Sequence, residues 1–200
     1  KDGVLFGAAG NIFRISIPPP PAPGAISGVV TDARTGQPVG FGTGINVQDA
    51  EGHSKSTFTF DANGRYTVTG LAPATYWATT DVFDFVNYVN QAYGGQLCDR
   101  CNALSGTPIG VTAGATTSGI DFALTPGGVI TGNVRDVTSN AGITAVQVES
   151  YDTGGVRGRM SFTSASGDFT INGLTDGVHY LRTRQNGNLY ADEVFEDVPC

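Results

Sequence analysis

Asn63-Gly64-Arg65-Tyr66-Thr67-Val68-Thr69-Gly70-Leu71-Ala72-Pro73-Ala74-Thr75-Tyr76-Trp77 is answered 103 residues later by Ser166-Gly167-Asp168-Phe169-Thr170-Ile171-Asn172-Gly173-Leu174-Thr175-Asp176-Gly177-Val178-His179-Tyr180. Both stretches open on a glycine turn. Both then alternate apolar and polar residues, Tyr66 and Val68 in one, Phe169 and Ile171 in the other, which is the period of a half-buried strand. Outward from this pair the match continues. Ile26-Ser27-Gly28-Val29-Val30-Thr31-Asp32 realigns with Ile130-Thr131-Gly132-Asn133-Val134-Arg135-Asp136 at an offset of 104, and Tyr88 to Cys98 realigns with Tyr190 to Cys200 at an offset of 102. Offsets that drift by single residues are small loop deletions between conserved strands, so the chain is a tandem of units of about 100 residues, the size of one β-sandwich.

The composition fits that reading. Charged residues are 14% of the 200-residue chain, against roughly 25% in an ordinary globular protein, and glycine contributes 29 residues. With 40% hydrophobic residues the chain can build cores. Short segments such as Gly44 to Gln48, Thr57 to Phe60 and Arg65 to Thr69 lie between Gly, Asn and Asp turns, the pattern of an all-β protein. Asp61-Ala62-Asn63-Gly64 reads as a tight hairpin joining the last two of these. Ala74 to Tyr93 lacks Gly and Pro and has some helical spacing, but its β-branched and aromatic residues favour strand.

These observations predict an N-terminal strand and proline-rich linker over residues 1–24, a first sandwich over 25–126 and a second over 127–200. Pro18 to Pro21 with Pro23 form an extended, stiff spacer. Ile120, Phe122 and Leu124 alternate as the closing strand of the first unit, and the second stops before its counterpart. Phe13, Ile15 and Ile17 alternate in the same way ahead of the first sandwich. The expectation is a segment of a longer polypeptide carrying a strand without a domain and a domain without a strand. The missing strand of the second unit is expected either from residues that follow in the same polypeptide or from a neighbouring copy, for which the Phe13, Ile15 and Ile17 strand is the candidate donor.

At this point the residues carry a family resemblance. Gly28 to Val39 (GVVTDARTGQPV) and Asp61 to Tyr76 (DANGRYTVTGLAPATY) resemble the carboxypeptidase regulatory-like domain, a transthyretin-like antiparallel β-sandwich of about seven strands. The second copy, Gly132 to Ile143 and Ala165 to Tyr180, is similar, with Ser139-Asn140 in place of Thr35-Gly36 and His179 in place of Tyr76. The resemblance implies an accessory or structural module of secreted and cell-surface bacterial proteins, usually strung in tandem, and it makes Tyr76 a buried core tyrosine.

Candidate chemistry is sparse. Cys98-Asp99-Arg100-Cys101 lacks the following His of a haem site and the further ligands of a zinc site. A structural disulfide is the better reading, with Cys200, aligned with Cys98, pairing outside the sequence. Asp192, Glu193, Glu196 and Asp197 offer hard oxygens to calcium, or simply charge a sheet edge. Trp77, Tyr88 and Tyr93 are candidate sugar-stacking residues, set against core packing for about half of the aromatic run they belong to. His53 reads as a turn residue. No paired carboxylates or nucleophilic triad stand out, so no enzyme activity and no cofactor are expected.

A net charge of −7 with 11 scattered basic residues argues against nucleic acid, and no apolar run is long enough for membrane insertion as a helix. Lys1 and Lys55 are the only lysines, which forbids an internal lysine–asparagine isopeptide bond in the second unit. The sequence therefore predicts a non-catalytic, extracellular or cell-surface repeat segment that serves as a spacer or as the subunit of a head-to-tail fibre. Its partners are neighbouring repeats or identical subunits. A carbohydrate-binding accessory module of a secreted hydrolase is the alternative.

Overall fold

The computed structural model describes residues 3–6, 12–15, 18–59, 61–185, 190–195 and 198–199, and those residues are all-β apart from one short 3-10 turn, Ala103–Ser105. Strands β1 (Gly3–Phe6) and β2 (Ile12–Ile15) pair antiparallel with one another. The first sandwich comprises β3 (Gly24–Asp32), β4 (Thr43–Asp49), β5 (Ser54–Phe58), β6 (Arg65–Leu71), β7 (Ala74–Val82), β8 (Asn90–Ala92), β9 (Gln96–Cys98), β10 (Ile109–Val111), β11 (Thr116–Thr117) and β12 (Phe122–Leu124). One sheet runs β5-β4-β7-β8-β9 with β10 also on β7. The other places β3 between β6 on one side and β11 and β12 on the other. Pairing is antiparallel except at β11 and β12, which run parallel to β3.

Alternation along the strands builds the core. Tyr66 and Val68 of β6 point inward, and Gly70, with φ +71°, then bulges the strand so that Leu71 also turns inward. They meet Ile26 and Val30 of β3, Ile45 and Val47 of β4, and Tyr76, Ala78 and Val82 of β7. Phe122 and Leu124 close the core from β12, both essentially inaccessible to solvent.

The second sandwich comprises β13 (Gly128–Asn133), β14 (Gln147–Tyr151), β15 (Arg157–Phe162), β16 (Asp168–Leu174), β17 (Tyr180–Arg184), β18 (Glu193–Val194) and β19 (Val198–Pro199). Its sheets are β13-β16 and β15-β14-β17-β18-β19. The core is smaller, Val148, Phe169, Ile171 and Leu174 with Ile130, Val134 and Leu181 half-buried against them.

Several hydrogen bonds of the first unit recur at equivalent positions of the second. Gly28 pairs with Tyr66 and Gly132 with Phe169. Asp32 accepts from Arg34 N, Thr35 N and the Thr35 hydroxyl; Asp136 accepts from Thr138 N, Ser139 N and the Ser139 hydroxyl. Val82 N donates to the Asn90 side chain as Gln185 N donates to Asp192. Tyr93 N donates to Ala78 O, as Phe195 N does to Leu181 O.

One local expectation changes and one holds. Asp61 to Gly64 makes no hairpin, because β5 pairs with β4 while β6 pairs with β3; the turn carries the chain from one sheet to the other. Burying Tyr66 and Val68 against the facing sheet outweighs the local pairing, and the Asp61 carboxylate holds the crossing by accepting from Asn63 N and Arg65 N. Over Ala74 to Tyr93 the chain is strand, turn and strand, with no helix.

Candidate functional site

A cluster of polar contacts lies where the two sandwiches meet. Thr125-Pro126-Gly127 joins β12 to β13, and the segment between β7 and β8 folds back over that joint: Val89 N donates to Thr125 O at 2.9 Å and Gly127 N to Asn87 O at 3.3 Å. From β15, Arg159 enters the same place and is only 4% exposed. A guanidinium that deep costs several kcal/mol unless its donors are matched. Here one nitrogen donates to Val82 O and approaches Asp84 Oδ1 at 3.4 Å, and the other donates to Tyr88 O at 2.9 Å. Asn172 donates to Asp84 O at 3.2 Å and Gly173 N to Asn87 Oδ1 at 2.9 Å. Gly173 has φ +72°, and a Cβ there would stand 2.5 Å from Tyr88 O, so the approach requires glycine.

Beside this contact is an open cleft of about 530 Å³. Asn46, Asp81, Asn90, Asp99, Arg157 and Arg159 line it, with Phe58 at its rim. Asp99 Oδ1 and Arg159 Nε are buried there without a protein partner. Above it Glu149, 1% exposed, accepts from Arg157 at 2.8 Å and from the Tyr151 hydroxyl at 2.8 Å. Burial alone would raise its pKa, but those donors bring it below the usual value. The cleft contains no histidine and no cysteine thiol free to act as a nucleophile, since Cys101 is bonded to Cys98.

The residues singled out in the sequence are dispersed. Cys98 and Cys101 form a disulfide at the edge of the cleft, and Cys200 lies outside the described residues. Phe13 and Ile15 are on β2, and Ile17 lies outside the described residues. Trp77 is half-buried on the outward face of β7, alternating with the core residues Tyr76 and Ala78. Tyr88 and Tyr93 instead pack against the core, Tyr88 donating to Asp32 Oδ2 at 2.9 Å and Tyr93 meeting Phe122 edge-on at 5.9 Å. The three therefore make no common stacking surface. Phe83 and Phe85 of the same aromatic run instead join Phe41 and Phe58, which the sequence reading missed, in a patch of linked ring contacts with Phe41 and Phe85 well exposed.

Of the acidic residues, Asp192 accepts from Gln185 N and pairs with Arg182 at 3.7 Å; Glu193 is exposed, and Glu196 and Asp197 lie outside the described residues. His53 is a turn residue whose Nδ1 lies 3.0 Å from Asp49. The junction residues Arg159, Asp84, Asn87 and Asn172 had escaped the sequence reading. Arg157 and Arg159 stand as two like charges on alternate residues, but Arg182 and Arg184 share that pattern, so the sequence did not single the junction out.

No helix among the described residues is long and apolar enough to cross a membrane. No curated protein matches the chain by sequence. Among solved structures it is similar to the Bacillus anthracis TIE protein, with 15% identity, a TM-score of 0.38, and coverage of 89% of this chain and 32% of that one. It is similar to a streptococcal ancillary pilin, with 15% identity, a TM-score of 0.41, and coverage of 88% and 60%. A third is described as a putative carbohydrate binding protein from Bacteroides uniformis, with 15% identity, a TM-score of 0.36, and coverage of 88% and 93%. The chain thus spans less than two thirds of the first two. The carboxypeptidase regulatory-like domain model matches residues 25–125, just over half of the chain, and the chain belongs to that family.

Proposed function

We propose that the chain is a non-catalytic structural segment of an extracellular or cell-surface protein, in which two sandwiches act as one stiff spacer. The observation that carries this reading is the junction. A buried Arg159 bridging three groups of the other unit, with two further hydrogen bonds from Asn172 and Gly173, opposes hinge motion at Pro126. The Cys98–Cys101 disulfide fits an oxidising compartment, and the family is one of accessory domains. Small-angle scattering tests the reading. One fixed arrangement of the two units should fit the curve, whereas a curve that requires many relative orientations would overturn it.

Fibre assembly by head-to-tail strand complementation is the extended form of this reading. The alternative is a carbohydrate-binding accessory role, and the observation in its favour is the polar cleft with Phe58 at its rim. A glycan array with the wild-type chain and with Phe58→Ala and Trp77→Ala separates the two. Sugar binding lost with Phe58→Ala would move the function to the cleft.

A further inference from the structure

In the first unit the outer edge of β3 is occupied. Ile120 N donates to Ser27 O, Val29 N to Asp121 Oδ1, and Ala33 N to Leu124 O. Tyr66 Oη donates to Ile120 O, and the Phe122 ring lies between Tyr66 and Tyr93. Gly28 has no alternative, because a Cβ there would run into the Ile120 carbonyl.

At the same place in the second unit, β13 pairs with β16 alone among the described residues. The counterparts of Ser27, Val29 and Ala33 are Thr131, Asn133 and Val137, all exposed, Val137 completely. Ile26 and Val30 are fully buried, yet Ile130 and Val134 are half-exposed. The position of Tyr93 is held by Phe195, 72% exposed. Where Phe122 sits in the first unit, the second has a groove of about 280 Å³ lined by Val134, Val148, Phe169, Leu181 and Phe195 among others. Gly132 keeps the glycine that lets a backbone pass, although among the described residues only the Phe169 ring is close to it.

We propose that this groove accepts residues 13–17 of a second copy of the chain as a strand parallel to β13. The inference rests on the structural reading above and names its partner. Phe13-Arg14-Ile15-Ser16-Ile17 has the order of Ile120-Asp121-Phe122-Ala123-Leu124: apolar, charged, apolar, small, apolar. Ile15 takes the place of Phe122, and the apolar residues either side fill the ends of the groove.

The charges exchange in the matching sense. In the first unit Asp121 lies beside Val29, whose partner across β3 is Arg65. In the second unit the residue paired with Asn133 is Asp168, and the incoming residue is Arg14. The contact joins the front of one copy to the back of the next, so it is heterologous and does not close, and its product is a filament. Residues 18–23, exposed and proline-rich, set the spacing between copies at about 19 Å, against three residues inside one copy.

The test uses the full chain, the chain lacking residues 1–17, and a synthetic peptide of residues 11–19. The full chain should sediment as concentration-dependent oligomers and give filaments by negative-stain electron microscopy, and the truncated chain should remain a monomer. Peptide 11–19 should raise the melting temperature of the truncated chain by several degrees and dissolve filaments of the full chain. The same peptide with Ile15→Asp should bind at least about tenfold more weakly, since a carboxylate cannot enter an apolar groove unpaired. A full chain that stays monomeric at every concentration overturns the proposal. So does a truncated chain stabilised by peptide 118–126 but not by 11–19, because the groove then takes a strand from another source. Small-angle scattering of the truncated chain keeps the question separate from the spacer reading, which fails only if its two units move independently.

Discussion

Tyr76 and His179 occupy equivalent positions and make the same bond: Tyr76 Oη donates to Ala72 O at 3.1 Å, and His179 Nε2 lies 2.8 Å from Thr175 O. Each ties the start of a strand to the backbone four residues earlier, where β6 turns into β7 and β16 into β17. A donor at that distance from the strand is what the corner demands, and an imidazole supplies it with the proton on Nε2. Tyr76→Phe and His179→Phe should each lower stability by about 1 kcal/mol, the net worth of one hydrogen bond. Thermal melts of the two variants check this, with the loss in His179→Phe confined to the second unit.

Arg159→Ala removes the cation from the junction and leaves Val82 O and Tyr88 O without a donor. The expected loss is about 3 kcal/mol of coupling. Calorimetry of the wild type should show one cooperative transition and that of Arg159→Ala two, one for each sandwich.

The twin carboxylates Asp32 and Asp136 make folding sensitive to acid. Backbone amides of Thr35 and Ser139 and the hydroxyls of Tyr88 and Thr35 or Ser139 hold both pKa values below the ordinary 3.8. A folded pKa below the unfolded one stabilises the fold above the ordinary value, and that stability is lost as pH falls through the folded value. Melting temperature should therefore drop steeply below about pH 4. In the Asp32→Asn, Asp136→Asn double variant, melts at successive pH values should show a shallower drop from a lower plateau.

Asn140 has φ +60°, the place Gly36 holds at φ +68°. Asparagine tolerates this conformation better than most residues, and alanine adopts it only at a cost, as Ala145 does at φ +60° in the same unit. Asn140→Ala should cost about 1 kcal/mol, and Asn140→Gly should be close to neutral, as read by urea titration.

Cys98 and Cys101 are separated by three positions, so their disulfide constrains a short loop. Its removal in Cys98→Ser, Cys101→Ser should cost about 2 kcal/mol or less. The melt of the wild type in reducing agent should match that of the variant.

The amino-acid sequence alone determined the all-β class and the inward-facing residues of its alternating strands, because these rest on local chemistry. An alternating strand with a bulge glycine, as at Tyr66 to Leu71, and an aspartate cradling amides two and three residues on, as at Asp32 and Asp136, look the same wherever they occur in a chain. What tertiary structure decided are the contacts between distant segments. Whether Asp61 to Gly64 closes a hairpin or crosses between sheets depends on what lies across the core from Tyr66. That Tyr88 and Tyr93 pack inward while Trp77 faces outward follows from where each strand meets the core. Arg159 becomes a junction residue only because the segment after β7 is folded back over Thr125 to Gly127, which brings its carbonyls within reach of a side chain more than 70 positions away. No local pattern encodes such a meeting, since each partner on its own is an ordinary arginine or an ordinary peptide carbonyl.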